Sequence, residues 1–157
     1  MTPRIEDMCV ELRELYQLHA QAMINVGIRY RLCCVIRTQA EQDAFYAQGR
    51  EVLEVVNAKR MTAGMRTITE KHNVIVTHTK ISRHFPDANG KAHAYDIEIL
   101  KNLDDGGGVH WDTKYDGQDD GKPDYIQAAE LGKTCGLDCG AFWDGFHDYP
   151  HYQVLKA

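Results

Sequence analysis

Apolar positions recur at intervals of three and four from Ile5 to Val26. Ile5, Met8, Cys9, Leu12, Leu15, Tyr16, His19, Ala20 and Met23 share one face. That spacing predicts an amphipathic helix, ended by Gly27. The run "YRLCCVI" is short, apolar and β-branched, and predicts a buried strand. "TQAEQDAFYAQGR" predicts a second helix, with Thr38 as N-cap, Glu41 completing a capping box and Gly49 as the stop. "NVIVTHT" predicts a second strand and "AHAYDIEIL" a third. Alternation in the third puts Ala92, Ala94, Asp96 and Glu98 on one face and His93, Tyr95, Ile97 and Ile99 on the other. Residues 104–124 are rich in Gly and Asp and predict a loop; "PDYIQAAELGKTCG" predicts a helix with its proline in the first turn. "HYQVLK" predicts a terminal strand. This order predicts an α+β fold, a small antiparallel sheet flanked by helices, in a single domain spanning 1–157.

Composition narrows the function classes. A chain of 157 residues, 43% apolar and 26% charged, can bury one core. A net charge of −5, with no basic run, argues against nucleic acid as a partner. No stretch approaches the roughly 20 apolar residues of a membrane span. The charged, amphipathic N-terminus does not read as a secretory signal, which predicts a cytoplasmic origin. Five cysteines at irregular spacing predict reduced thiols; Cys135 and Cys139 form C-x3-C but lack a second pair at zinc-finger spacing.

Candidate chemistry begins with "DYPH". His147 and His151 are four apart, a spacing that on a helix would offer two imidazoles to zinc, but Pro150 forbids the helix. His151 instead opens the last strand after a proline-stiffened turn, with Asp148 three residues before it. Ser82 and His84 stand in "SRH", before a Pro-Asp-Asn-Gly turn, and the small residues Ala92 and Ala94 precede Asp96 on its face of the strand, leaving room beside the carboxylate. Two histidines and one carboxylate match a catalytic zinc set that keeps an open position for water. His84, Asp96 and His151 are therefore candidate metal ligands; on the residues alone Asp148 is either a base for the bound water or, more simply, a turn former hydrogen-bonding its own backbone. His19, His72, His78, His93 and His110 read as structural.

Three segments, in order, resemble a known family. "SRH…AHAYD" with "DYPHYQ" resembles the motif of zinc peptidases that cut bacterial cell-wall peptides, S-x-H-x-x-G-x-A-x-D followed by an acidic residue, two spacers and His. These comprise the D-alanyl-D-alanine carboxypeptidases and dipeptidases and the L-alanyl-D-glutamate endopeptidases of phage endolysins. "RTQAEQDAFYAQGR" and "ELGKTCGLDCGAFWDGFHDYPHYQ" are similar to the endolysin branch. The resemblance spans residues 30–155 and implies a hedgehog/D,D-peptidase-like fold with the zinc site on the sheet. It implies zinc on His84, Asp96 and His151, Asp148 as catalytic base, Arg37 on substrate or oxyanion, and Ser82 as a local hydrogen bonder beside the substrate. Three features depart from the pattern. His84 and Asp96 are twelve positions apart instead of seven, so "PDANG" reads as a five-residue insertion. The motif glycine falls on Ala92 or Gly90, and Cys139 stands where an aromatic is common.

The implied protein is a monomeric, zinc-dependent peptidoglycan endopeptidase, a phage enzyme held in the host cytoplasm until lysis. A D,D-carboxypeptidase or dipeptidase on the same scaffold and a non-catalytic zinc-bearing binding module are the alternatives. Asp112, Asp116, Asp119, Asp120 and Asp124 also make calcium a candidate second cofactor, although the EF-hand pattern is not met.

Overall fold

The computed structural model describes residues 2–155. The first helix, α1, runs Val10–Asn25 and buries Leu12, Tyr16, His19 and Met23, the face expected from the periodicity. It starts at Val10 rather than near Ile5 because the preceding backbone is committed elsewhere. Ile5–Asp7 make one 3-10 turn, Ala92 N donates to Asp7 O, and Cys9 N donates to Ala92 O. Strand β1 is Arg29–Cys34, and α2 is Gln39–Ala47. The expected capping box is present: Thr38 Oγ1 accepts from Glu41 N, and the Glu41 carboxylate accepts from Thr38 N, each at 3.1 Å.

Helix α3, Leu53–Thr62, packs on α2 and was not marked by the hydrophobic pattern. Only Val56 is buried on it, while Val52, Val55 and Met61 face solvent, so its apolar stripe is too thin to read. The segment expected as a strand, residues 73–79, is not one. Val74, Ile75 and Val76 are exposed, and the side chains of Thr77 and Thr79 bond the backbone two residues on. The buried Gln42 amide holds this segment by donating to Thr79 O at 2.7 Å. Gly49 (φ 79°) lets the end of α2 approach it, since a Cβ there would strike the backbone of Ile75.

Strand β2, Ala94–Leu100, is the centre of the sheet. Then follow β3 (Val109–His110), α4 (Asp124–Cys135), β4 (Asp138–Cys139) and β5 (His151–Gln153). Pro123 is the N-cap of α4 rather than part of its first turn. Lys156, included in the expected terminal strand, lies outside the described residues. Every strand pairing is antiparallel. β1 lies along one edge of β2; β5 and β3 share the other edge, and β4 extends the sheet beyond β5. Tyr95, Ile97 and Ile99 are fully buried, in one core cluster with Leu12, Tyr16 and Met23 of α1 and Tyr125, Ala128 and Ala129 of α4. His19 bridges the layers, donating from Nε2 to Ala128 O at 2.8 Å and accepting from Tyr95 Oη at 2.7 Å. The alternation then carries Asp96 and Glu98 to the opposite face. That face carries the candidate site.

Candidate metal centre and active site

Register assembles the site. Asp96 pairs with His151 of β5 on one side and with Cys34 of β1 on the other. The Cys34 pairing follows a bulge between Leu32 and Cys34, which re-aims the end of β1. His84 arrives from the loop before β2. There Ser82 Oγ accepts from His84 N at 3.1 Å, and His84 O accepts from Arg37 N at 3.0 Å. The "PDANG" turn between His84 and Asp96 is exposed over residues 86–90, so it leaves the site clear.

Three donor atoms converge. His84 Nε2 is 3.1 Å from Asp96 Oδ1 and 3.3 Å from His151 Nδ1, and His151 Nδ1 is 3.0 Å from Asp96 Oδ1. Tetrahedral ligands at zinc–ligand distances of 2.0–2.1 Å lie about 3.3 Å apart, so the spacing suits one ion. The far ring nitrogens strengthen the fit. His84 Nδ1 donates to Val35 O at 2.9 Å, and His151 Nε2 donates to Gln153 Oε1 at 2.9 Å. In neutral imidazoles this leaves both converging nitrogens as lone pairs facing a carboxylate oxygen. Three acceptors this close require a cation or protons between them.

The electrostatics carry the same demand. Burial opposes charge on His84, but Asp96 outweighs it and pushes the imidazole up to about 10. Burial likewise opposes charge on Asp96, yet His84 and His151 hold its carboxyl well below the usual range. Arg37 occupies the other carboxylate oxygen, donating from Nη2 to Asp96 Oδ2 at 3.0 Å. Its Nη1 donates to Gln42 Oε1 at 3.0 Å, and the guanidinium lies 5.0 Å from the Phe45 ring centre. Arg37 thus aims Asp96 Oδ1 at the imidazoles while lining the groove.

Cys34 is a neighbour that sequence reasoning passed over. With His84 and Asp96 it offers ligand atoms within 4.8 Å of one another. Its Sγ, however, lies 3.6 Å from His84 Nδ1, the nitrogen whose proton goes to Val35. The His84–Asp96–His151 group is tighter and presents lone pairs, which makes it the stronger ligand set. The β1–β2 register was the missing signal, and a periodicity does not supply it.

"DYPH" is a four-residue turn in which His151 N donates to Asp148 O at 3.2 Å. Its two ends are Asp148 and His151. Asp148 N donates to Gly140 O at 2.9 Å, and a Cβ on Gly140 would run into the Asp148 carbonyl. Among the described residues the Asp148 carboxylate has no hydrogen-bond partner, and it lines the groove beside Arg37, His84 and His151. Burial, reinforced by the Asp96 charge, raises its carboxyl above the usual range.

The groove has a volume of about 780 Å³. His78, read from the sequence as structural, lines it and lies 4.6 Å from the Phe146 ring. His72, His93 and His110 hydrogen-bond locally, to Thr69, Asp87 and Asp112 N. In the acidic loop the carboxylates of Asp112, Asp116, Asp120 and Asp124 accept from loop amides, the work of turn formers. No helix among the described residues is long and apolar enough to cross a membrane.

Fold and cluster define a class: a small α+β domain whose antiparallel sheet carries a histidine–carboxylate group able to hold a metal ion. The comparisons are more specific. The chain is 30% identical over 160 residues to the peptidoglycan L-alanyl-D-glutamate endopeptidase CwlK of Bacillus subtilis, covering 96% of this chain and 79% of that protein. It belongs to that endopeptidase family. The crystal structure of the Serratia marcescens L-Ala D-Glu endopeptidase ChiX shares the fold, with a TM-score of 0.55 at 17% identity, over 96% of this chain and 83% of that one. No protein-family model matches the chain.

Proposed function

We propose that the chain is a zinc-dependent peptidoglycan endopeptidase that cuts the L-alanyl–D-glutamate bond of stem peptides. The observation that carries this is the convergence of His84 Nε2, Asp96 Oδ1 and His151 Nδ1 within 3.3 Å. Kinship with CwlK supplies the substrate class. The donor chemistry suits zinc, since two neutral imidazoles and one carboxylate leave a tetrahedral position open. When bound there, zinc polarises a carbonyl and makes water acidic near neutral pH.

The remaining work falls to the chain's own residues. The raised Asp148 carboxyl takes a proton from the attacking water and passes it to the departing amine. Arg37, held against Asp96, presents its remaining N–H groups to the negative charge that develops on the scissile carbonyl oxygen. Ser82 fixes the His84 loop through its bond to His84 N and acts on the substrate rim, not as a nucleophile. Similarity of residues 37–50 to the endolysin branch supports a phage lysis role, with the enzyme stored in the host cytoplasm.

The test is digestion of isolated cell walls by the purified protein, with and without chelator, followed by mass spectrometry. New N-terminal D-glutamyl peptides, absent with chelator, are expected. Release of terminal D-alanine alone would replace this reading with a D,D-carboxypeptidase, and intact walls with zinc bound would leave a binding module.

A further inference from the structure

We infer that Asp138 is a positioning residue for the metal site: by fixing which way the Gln153 amide faces, it keeps the His151 proton on Nε2 and leaves Nδ1 as a ligand. This rests on the zinc reading above and adds two residues to it. Strand pairing sets Asp138 of β4 opposite Gln153 of β5. Gln153 Nε2 donates to Asp138 Oδ2 at 2.9 Å, while Gln153 Oε1 accepts from His151 Nε2 at 2.9 Å. Asp138 Oδ1 accepts from the Trp143 indole N–H at 2.8 Å.

A carboxamide has a wrong way round. Turned over, Gln153 would offer N–H to His151 Nε2, which would then have to accept. A neutral imidazole carries one N–H, so the proton would move to Nδ1, the atom facing His84 and Asp96. His151 alone cannot choose, because its ring accommodates either arrangement. Asp138 decides, since a carboxylate only accepts and demands the NH2 end of the amide. His84 needs no such device: its Nδ1 faces the Val35 carbonyl, which can only accept. The two ligands thus have their tautomers fixed by different means, one by backbone and one by a side-chain relay.

The test is zinc affinity, measured on the full chain by competition with a chromophoric chelator and paired with metal-free melting curves. Asp138→Ala frees the amide and should bind zinc about 10- to 100-fold more weakly. Asp138→Ala/Gln153→Glu should regain most of that loss, because a carboxylate at 153 accepts from Nε2 whichever way it turns. A merely structural role predicts no rescue, since both variants lack the same cross-strand bond. Asp138→Asn, a milder change that can satisfy Trp143 or Gln153 but not both, should fall between wild type and Asp138→Ala. Two results would overturn the inference: Asp138→Ala matching wild type, or the double variant binding no more tightly than the single one. A wild type that takes up no zinc would overturn the metal reading itself, and this inference with it.

Discussion

On His84 and His151 the nitrogen away from the site decides what the near one can do. Each far nitrogen gives its proton to a fixed acceptor, so in the neutral ring that a metal requires each near nitrogen is a lone pair. Asp148 plays a different part: burial raises its carboxyl, and the carboxylate has no hydrogen-bond partner among the described residues. Asp148→Ala should therefore keep zinc and fold while wall cleavage drops about 10²- to 10⁴-fold; zinc content and turbidity loss check both halves. His19 shows a histidine doing the opposite work. Burial lowers its imidazole from 6.5 to about 4, so the folded chain holds it neutral. The unfolded chain takes up a proton below 6.5, so this contribution is whole above that pH and drains away as the pH falls to about 4. The depression from 6.5 to about 4 corresponds to roughly 3 kcal/mol. Denaturant midpoints across that window should fall more steeply for wild type than for His19→Leu; parallel curves would contradict the assignment. The candidate ligands and base were proposed from the sequence because the peptidase-like motifs mark them; residue type and spacing alone left Asp148 equally a turn former. Asp138, Gln153 and Cys34 were not, because their roles come from strand register.

Elements show where pattern reading succeeds and where it stops. α1, α2, α4 and β2 were legible, since each has a broad apolar face or a cap of its own. β4 is only two residues long, and α3 buries a single residue, so neither leaves a periodic trace. Residues 73–79 misled because a β-branched run usually means a strand, whereas here threonine side chains satisfy the backbone locally. The loop before β5 carries its own test. Gly140 gives Asp148 room, and a methyl group there must push the Asp148 carbonyl away. Gly140→Ala should cost about 1–3 kcal/mol of stability. It should also lower activity while zinc binding persists. Unchanged turnover would show that the close approach does not position the base.

At the scale of the molecule, the site ties together parts far apart in sequence: the loop at 82–84, the central strand and the last strand. An ion held by all three binds the folded chain alone, so it must stabilise the fold. Zinc at a hundredfold excess over its Kd should add about 2.7 kcal/mol, and a rise in Tm of roughly 5–10 °C is expected for a domain of this size. Chelator should reverse the rise. The most direct measurement is zinc content after metal-free purification and zinc refeeding, in wild type and in Asp96→Ala. One zinc per chain in the wild type and none in the variant is the predicted result. A wild type without stoichiometric zinc, or a variant that keeps it, would contradict the shared-ion site.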